Sequence, residues 1–387
     1  MARKDKPYRI YRGGRARGPI RHEPLKGEAA DGADGRDAYA YKGPRPAKKP
    51  RRWRRWVLIP LGVLLLLTLV WALLGYLAFR SGVEKANARL DPLAVRALTP
   101  QDGLMLSNPS TILVLGVDVG GVREGTQGRS DSMVLIRADP DEHRIAMLHI
   151  PRDLRVDIPR HGAQKINAAY AFGGATLAIQ TVEQVTGIPV NHVVVVDFGT
   201  FDKVIDALGG VTVDVPRKIL SNKFECPRSS QAACARWPGW KFQAGEQTMD
   251  GKRALIYSRI RENQLDPSES DFTRGERQQA VIEAIADETV SFGTFLKAPF
   301  MGDDLVSPLA TDLSAAQIMQ LAWVKWRTPS SGQLRCRLGG TIADIGGQSF
   351  IIGSEENVSV IAMVTGKTAP QPPRPGSGPF GPGCTVG

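Results

Sequence analysis

The sequence contains none of the short motifs that mark the common nucleotide-binding and hydrolytic folds. Gly116, Gly120 and Gly121 follow a predicted strand without forming G-x-G-x-x-G, and no Lys-Ser/Thr pair completes a phosphate-binding loop before Arg129. G-x-S-x-G and H-E-x-x-H are also absent. The five histidines are scattered, and His149 on an apolar predicted strand is interpreted as a packed core residue. These absences argue against dinucleotide-dependent, P-loop, serine-hydrolase and zinc-protease chemistry.

An excess of basic over acidic charge is missing outside the first 55 residues. That segment holds 18 basic and 6 acidic residues, whereas the remainder holds 32 basic and 33 acidic residues. The net charge of +11 therefore describes a tail, and no nucleic-acid partner is expected. The tail has few branched apolar residues and is predicted to be disordered.

One long uncharged run follows this tail, from Val57 to Phe79. As a helix its 23 residues would be roughly 34 Å long, enough to span a bilayer. The arginines before it predict a cytoplasmic N-terminus and an extracytoplasmic remainder, hence a single-pass cell-membrane protein. A buried core helix and a cleaved signal peptide with Ala86-Asn87-Ala88 as its cleavage site are the alternatives.

The predicted organisation is a tail (1–55), a membrane helix (56–79), a stalk (80–107), a catalytic domain (108–300) and a C-terminal extension (301–387). Alternating strand and helix patterns predict an α/β fold with a mixed β-sheet between helices. Beyond residue 300 the pattern predicts one helix, Ser314–Arg327, and short strands near 334–338 and 358–364.

The four cysteines lie after the membrane helix. An even number in an oxidising compartment favours two disulfides, of which three pairings are possible. Proximity in sequence favours Cys226–Cys234 and Cys336–Cys384. A zinc site is the alternative, although the sequence has no C-x-x-C.

Arginine and aspartate are concentrated at predicted strand ends and loops. Two carboxylates can hold Mg²⁺. Several guanidinium groups suit a diphosphate, because each group can bind two phosphate oxygens at once. Arg274 and Gln278 share a helix face, and Arg259 and Arg261 face one side if extended. Ordinary surface ion pairs are the alternative for any single member.

At these positions the sequence resembles the LytR-CpsA-Psr (LCP) family. The matching runs include ILVLGVD (112–118), GRSDS (128–132), IPRD (150–153), KINAAY (165–170), DALGGV (206–211) and RGERQQ (274–279). The resemblance implies a membrane-bound phosphotransferase that moves a glycopolymer from a polyprenyl-pyrophosphate carrier to peptidoglycan, at the 6-hydroxyl of N-acetylmuramic acid, with a pyrophosphatase side activity. The C-terminal extension beyond Pro299 and the Arg/Ala/Gly/Pro bias of the composition resemble actinobacterial members, which suggests arabinogalactan or a related glycan as donor. A polyprenyl chain needs an apolar tunnel, which is expected around the apolar segment Leu177–Val196.

The resemblance also implies roles for individual residues. Asp118 and Asp131 match positions associated with Mg²⁺ (or Mn²⁺). The positions that match pyrophosphate contacts are Arg129, Arg152, Arg259, Arg261, Arg274 and Gln278, with Lys165 as a further candidate. Asp118, Asp131 and Arg152 are the predicted catalytic set, and Asp131 or Asp153 could accept the proton of the acceptor.

Two other functions fit the architecture. A membrane-bound regulator or transcription attenuator would need its tail to bind DNA, and the tail lacks a helical pattern. A scaffold would bind wall glycan without turnover.

Overall fold

The computed structural model describes residues 52–118, 128–266, 271–289, 293–294, 297, 304–377 and 380–387. The predicted disordered tail lies outside these residues, except for residues 52–55, which begin the first helix. Within them the helices are α1 (Arg52–Asn87), α2 (Pro92–Ala97), α3 (Ala168–Thr186), α4 (Phe198–Leu208), α5 (Gln231–Arg236), α6 (Gly251–Arg259), α7 (Asp271–Thr289), α8 (Ala315–Arg327) and α9 (Asn357–Val364).

The strands are β1 (Ser110–Asp118), β2 (Arg129–Asp139), β3 (Arg144–His149), β4 (Arg155–Ile158), β5 (Gly162–Lys165), β6 (His192–Asp197), β7 (Val211–Val215), β8 (Ile219–Leu220), β9 (Lys241–Phe242), β10 (Gly245–Met249), β11 (Ala310–Thr311), β12 (Gln333–Arg337), β13 (Gly340–Ile345), β14 (Gln348–Gly353) and β15 (Gly383–Val386).

A mixed, seven-stranded sheet forms the centre of the fold, in the order β11-β6-β1-β2-β3-β12-β15. Strands β1, β2 and β3 are antiparallel neighbours, whereas β6 pairs with β1 and β12 with β3 in parallel. The predicted α/β fold with a mixed sheet between helices is therefore confirmed.

The alternation of side chains divides each central strand between two layers. Leu113 and Leu115 of β1 point to one face, where they pack with α2, α3 and α9. Ile112 and Val114 point to the opposite face, beneath α7 and α8. Beyond α7 lies a second apolar cluster, which is built from α4, α6, β7 and the end of α1.

Helix α1 contains a candidate membrane span, Trp56–Asn87, whose most apolar 18 residues have a mean hydropathy of 2.8. Its side chains are largely exposed from Trp56 to Leu77. One such helix near the N-terminus fits a single-pass membrane protein.

The segment that was predicted as a stalk is instead docked on the domain. Helix α1 continues to Asn87, and its Val83 and Ala86 are 2% and 0% exposed in the second apolar cluster. Asp91 then caps α2, because its carboxylate accepts a hydrogen bond from the backbone N–H of Leu93 (2.8 Å). The membrane helix therefore leads into the domain through packed contacts.

The predicted strand near 358–364 is wrong, because these residues form helix α9. A run of β-branched residues favours a strand, but this preference is weak against tertiary packing. Val360, Met363 and Val364 have the i, i+3, i+4 spacing of one helical face, and all three are buried against the first core. The neighbouring hairpin of β13 and β14 was not predicted.

The C-terminal residues complete the central sheet and do not form a separate unit. Cys336 of β12 lies directly opposite Cys384 of β15, and their sulfur atoms are at bonding distance. Cys226 and Cys234 form the other pair. This is the pairing that proximity favoured; oxidation in the cell stays a prediction, which non-reducing peptide mapping checks.

Candidate active site

Asp131 occupies a β-bulge between the first two strands. The register pairs Gly116 with Ser132 and then Val117 with Ser130, so Asp131 is the extra residue on β2. A bulge of this kind re-aims a side chain and is common beside active sites. The register also places the backbone of Asp118 opposite Arg129. The side chain of Asp118 lies outside the described residues.

Arg152 lies on the loop after β3, where it joins two carboxylates. Its Nη1 donates to Asp131 Oδ1 at 2.8 Å, and its Nε lies 3.4 Å from Asp153 Oδ2. The loop is held by backbone hydrogen bonds from Ile150 N–H to Met133 O (3.0 Å) and from Asn167 N–H to Arg152 O (3.2 Å). The backbone therefore positions this guanidinium over the end of the sheet.

Lys165 extends the cluster from the end of β5. Its Nζ donates to Asp153 Oδ1 at 2.8 Å and lies 5.4 Å from the ring centre of Phe350. Asp153 is thus bound by both Arg152 and Lys165. The side chains of all three residues are 17–23% exposed, so the cluster is open to a ligand.

The first turns of α7 bring two more predicted residues to this end of the sheet. Arg274 is 4% exposed, and its Nη2 donates to the backbone oxygen of Asp131 (3.3 Å). Gln278 is 6% exposed, and its Nε2 donates to Ser258 O at the end of α6 (3.5 Å). The prediction that Arg274 and Gln278 share a helix face at the site is consistent with these contacts.

The other predicted arginines lie on α6, just after α6 and at the start of β2. Arg259 is the last residue of α6 and pairs with Glu225, whereas Arg261 is exposed just beyond it. They do not follow one extended strand, as the i, i+2 argument assumed. Arg129 is exposed at the start of β2. Hydrogen bonds and ion pairs join Asp131, Arg152, Asp153, Lys165 and Arg274, a set that we call the Arg152 cluster, and Gln278 lies one turn after Arg274 on α7.

A metal site is only partly visible in the described residues. Among them, no group of three or more His, Cys, Asp or Glu side chains is placed to hold a metal ion. Asp131 supplies one carboxylate, and Asp118 is the nearest predicted partner on the neighbouring strand. Carboxylate oxygens are suitable ligands for Mg²⁺.

His149 is packed beneath the site, as the sequence predicted. It is 6% exposed, and burial lowers its pKa from 6.5 to about 3, with the charges of Arg274 and Arg337 acting in the same direction. A Cβ atom at Gly275 would lie 2.5 Å from His149 Nε2. The imidazole therefore requires glycine at this position of α7, next to Arg274.

This burial predicts a pH-dependent stability. Between pH 6.5 and about 3 the unfolded chain protonates His149 while the folded chain does not, so stability falls as the pH falls. One such proton contributes about 1.4 kcal/mol per pH unit to the free energy of unfolding.

Urea unfolding at several pH values below 6.5 should show that the free energy of unfolding falls less steeply with falling pH in His149→Leu than in the wild type. His161→Gln, on an exposed turn, should keep the wild-type slope; equal slopes in all three proteins would contradict the prediction.

Asn167 is a site residue to which the sequence argument gave no role. It is 4% exposed and its Oδ1 has no hydrogen-bond partner, while its N–H holds the Arg152 loop. The sequence places Asn167 at the entrance of a predicted helix. Because asparagine is a common helix cap, this position does not by itself mark a site residue. Here the side chain makes no capping hydrogen bond.

An apolar cavity of about 270 Å³ lies between the sheet and two helices. The central strands contribute Ile112, Val114, Ile136 and Met147, α7 contributes Ile282 and Ala286, and α8 contributes Ile318, Leu321 and Ala322. Val194 of β6 also lines it, but the apolar side chains of α3 pack on the opposite face of the sheet. This cavity therefore meets the segment predicted for the tunnel only at Val194, and the path of a prenyl chain stays a prediction.

A larger groove of about 590 Å³ lies on another side of α7. Arg335 and Arg337 line it, and each is paired with a carboxylate, Glu283 and Glu276 respectively. The groove as a whole is lined by five carboxylates and four guanidinium groups. Around Arg152, by contrast, three cations, Arg152, Lys165 and Arg274, meet two carboxylates, Asp131 and Asp153. The groove is therefore a weaker candidate for a phosphate.

Comparison with known proteins shows the family of this chain. The model of the LytR_cpsA_psr family matches residues 78–349, and the chain belongs to this family. A teichoic acid transferase named TagU from Oceanobacillus iheyensis is 34% identical over 71% of this chain and 81% of its own length. TagU from Halalkalibacterium halodurans is 36% identical over 55% of this chain, and the match spans 64% of that protein. A protein named regulatory protein MsrR, from Staphylococcus aureus, is 32% identical over 63% of this chain and 68% of its own length.

Solved structures show the same fold. TagT with bound octaprenyl pyrophosphate lipid superposes with a TM-score of 0.50 at 26% identity, covering 69% of this chain and 92% of TagT. TagT bound to LIIa-WTA gives a TM-score of 0.54 at 28% identity, with 69% and 93% covered.

Proposed function

We propose that this protein transfers a glycopolymer from a polyprenyl-diphosphate carrier to a hydroxyl of peptidoglycan, the 6-hydroxyl of N-acetylmuramic acid. One observation carries the proposal: the Arg152 cluster and the apolar cavity lie at the two ends of α7. Arg274 is in the first turns of α7, and Ile282 and Ala286 follow in its second half. A cationic end and an apolar end match the two halves of a prenyl diphosphate.

The cationic side chains of the cluster would bind and orient the diphosphate. Arg152 and Arg274 offer planar sets of donors, and Lys165 adds a point charge. The acceptor oxygen would form a bond to the phosphorus on the glycan side, while the bond from that phosphorus to the bridging oxygen breaks. The polyprenyl phosphate then leaves with the charge that these donors stabilise.

Removal of the acceptor proton needs a base near the same phosphorus. Asp131 and Asp153 are the carboxylates of the cluster that can take this role. Arg152 contacts both, so it would also orient the base. Asp153 is further held by Lys165.

Magnesium is proposed as the cofactor, with manganese as a substitute. Asp131 and Asp118 would hold it, since both supply oxygen ligands from neighbouring strands at the bulge. Bound there, the cation would neutralise diphosphate charge beside the arginines.

The location follows from the same proposal. With the arginine-rich segment before α1 in the cytoplasm, the domain faces the cell wall, where the acceptor is. The donor glycan is proposed to be arabinogalactan or a related polymer, on the composition of the chain, whereas its named relatives act on teichoic acid.

The test is transfer by the purified full-length protein in detergent. It is given synthetic polyprenyl-diphosphate glycans and peptidoglycan oligomers, and products are identified by mass spectrometry. A phosphodiester-linked glycan on muramic acid supports the proposal. A donor that stays intact under all metal conditions would favour a scaffold, and tail-dependent DNA binding without transfer would favour a regulator. Comparing arabinogalactan with teichoic acid donors decides the glycan.

A further inference from the structure

Helix α8 exposes large apolar side chains. Met319, Trp323 and Trp326 are 55%, 50% and 66% exposed. Their i, i+4, i+7 spacing places them on one side of the helix, and we call this set the α8 face. Leu106, which is 44% exposed, lines a small cleft with Trp323. Contiguous exposed aromatic surface of this kind marks an interaction site.

The other apolar side of α8 forms a wall of the apolar cavity. Ile318, Leu321 and Ala322 line the cavity, and two of them, Ile318 and Ala322, are direct sequence neighbours of members of the α8 face. Because successive helical residues are about 100° apart, the cavity wall and the α8 face adjoin. Apolar surface therefore continues from the cavity around the helix to the exterior.

The start of α8 is attached to the end of the membrane helix. With its side-chain amide turned so that the nitrogen faces them, Asn87 donates to the backbone oxygens of Thr311 (2.7 Å) and Leu313 (3.1 Å), just before α8. Ala315 is buried in the same apolar cluster as Val83 and Ala86 of α1, and Phe79 and Ile318 pack against that cluster. Helix α8 thus begins beside the point where α1 leaves its long apolar segment.

The cavity is small for a polyprenyl chain. Pockets for drug-sized ligands measure about 300–1,000 Å³, and the cavity holds about 270 Å³. An octaprenyl chain, as named in the related TagT structure, is larger than such a ligand. The part of the prenyl chain that does not fit must leave the cavity. Helix α8 forms one wall of the cavity, near the end of α7 that is opposite to Arg274.

We propose that the α8 face lies in the membrane interface, and that the prenyl chain passes beside α8 between the bilayer and the cavity. The occupant of this surface is the lipid bilayer itself. Tryptophan favours the interface, where its ring is apolar and its N–H is wet. Exposed Arg327 follows the α8 face and can reach headgroups. The passage of the chain rests on the proposed function; the membrane contact of α8 does not.

The contact is tested by photo-crosslinking of the full-length protein in phosphatidylcholine–phosphatidylglycerol vesicles. A photoreactive phenylalanine derivative replaces Trp323 or Trp326, one at a time. The control position is Val358 on α9, which is 72% exposed. We expect phospholipid adducts at both tryptophan positions and none above background at the control. Equal yields at all positions, or adducts with protein only, would overturn the proposal.

The passage is tested by a Trp323→Ser/Trp326→Ser variant, with Val358→Ser as the control. Transfer from a long-chain donor embedded in the vesicles should fall by about tenfold, which corresponds to about 1.4 kcal/mol. Transfer from a short-chain, water-soluble donor should be unchanged, which also shows that the variant is folded. Equal loss with both donors would overturn the passage. If the wild type uses neither donor, the proposed function fails while the crosslinking result stands.

Discussion

Replacing Arg152 by lysine should reduce glycopolymer transfer almost as severely as replacing it by alanine. Arg152 lies between Asp131 and Asp153, and its guanidinium contacts both carboxylates through different nitrogen atoms. A lysine ammonium is a single point and cannot reproduce two donors in one plane. Loss of one such stabilising group typically lowers the rate by about 10²–10³-fold. Transfer rates for both variants, measured with melting temperatures, test this expectation.

Arg155→Lys is the matched control, because Arg155 is exposed on β4 three residues further along the chain. It should keep the wild-type rate and melting temperature. If Arg152 were only an ion-pair partner, Arg152→Lys would retain transfer and Arg152→Ala would lose up to about 1 kcal/mol of stability, as such pairs typically do. An Arg152→Lys protein with near-wild-type transfer would remove the diphosphate role of this residue.

Much of this site was predictable because strand ends carry its residues. The positions of Asp131 and of Arg152 follow from strands β2 and β3, whose apolar runs are clear in the sequence. The β-bulge was not predictable, because it depends on a register shift between Gly116 and Val117 that no side-chain pattern records. The bulge nevertheless makes Asp131 the extra residue on its strand.

Long-range packing explains the other differences. The pairing of Arg259 with Glu225 depends on the segment between Phe224 and Trp240, whose path local patterns do not determine. Helix α9 carries a β-branched sequence, and its helical state follows from burial against β12 and β15. The position of the cavity beneath α7 and α8, and not beneath α3, was not predictable. Both faces of the sheet are apolar, and the sequence does not distinguish them.

The second large effect is expected for Asp131→Asn. Asp131 is proposed as a magnesium ligand, and an amide oxygen carries no charge to hold a hard cation. Transfer should fall by about 10²–10³-fold, which is typical for loss of one electrostatic stabiliser. Asp118→Asn should behave in the same way. Asp157→Asn, an exposed carboxylate on β4, should leave transfer unchanged.

Activity alone does not separate two roles of Asp131, because its carboxylate also holds Arg152 at 2.8 Å. Metal binding separates them. Electron paramagnetic resonance of Mn²⁺ titrated into the purified protein should show binding by the wild type and by Arg152→Ala. Asp131→Asn and Asp118→Asn should show none at the same concentrations. If Asp131→Asn loses transfer but binds Mn²⁺ as the wild type does, Asp131 acts by orienting Arg152 or as the base, and the metal lies elsewhere.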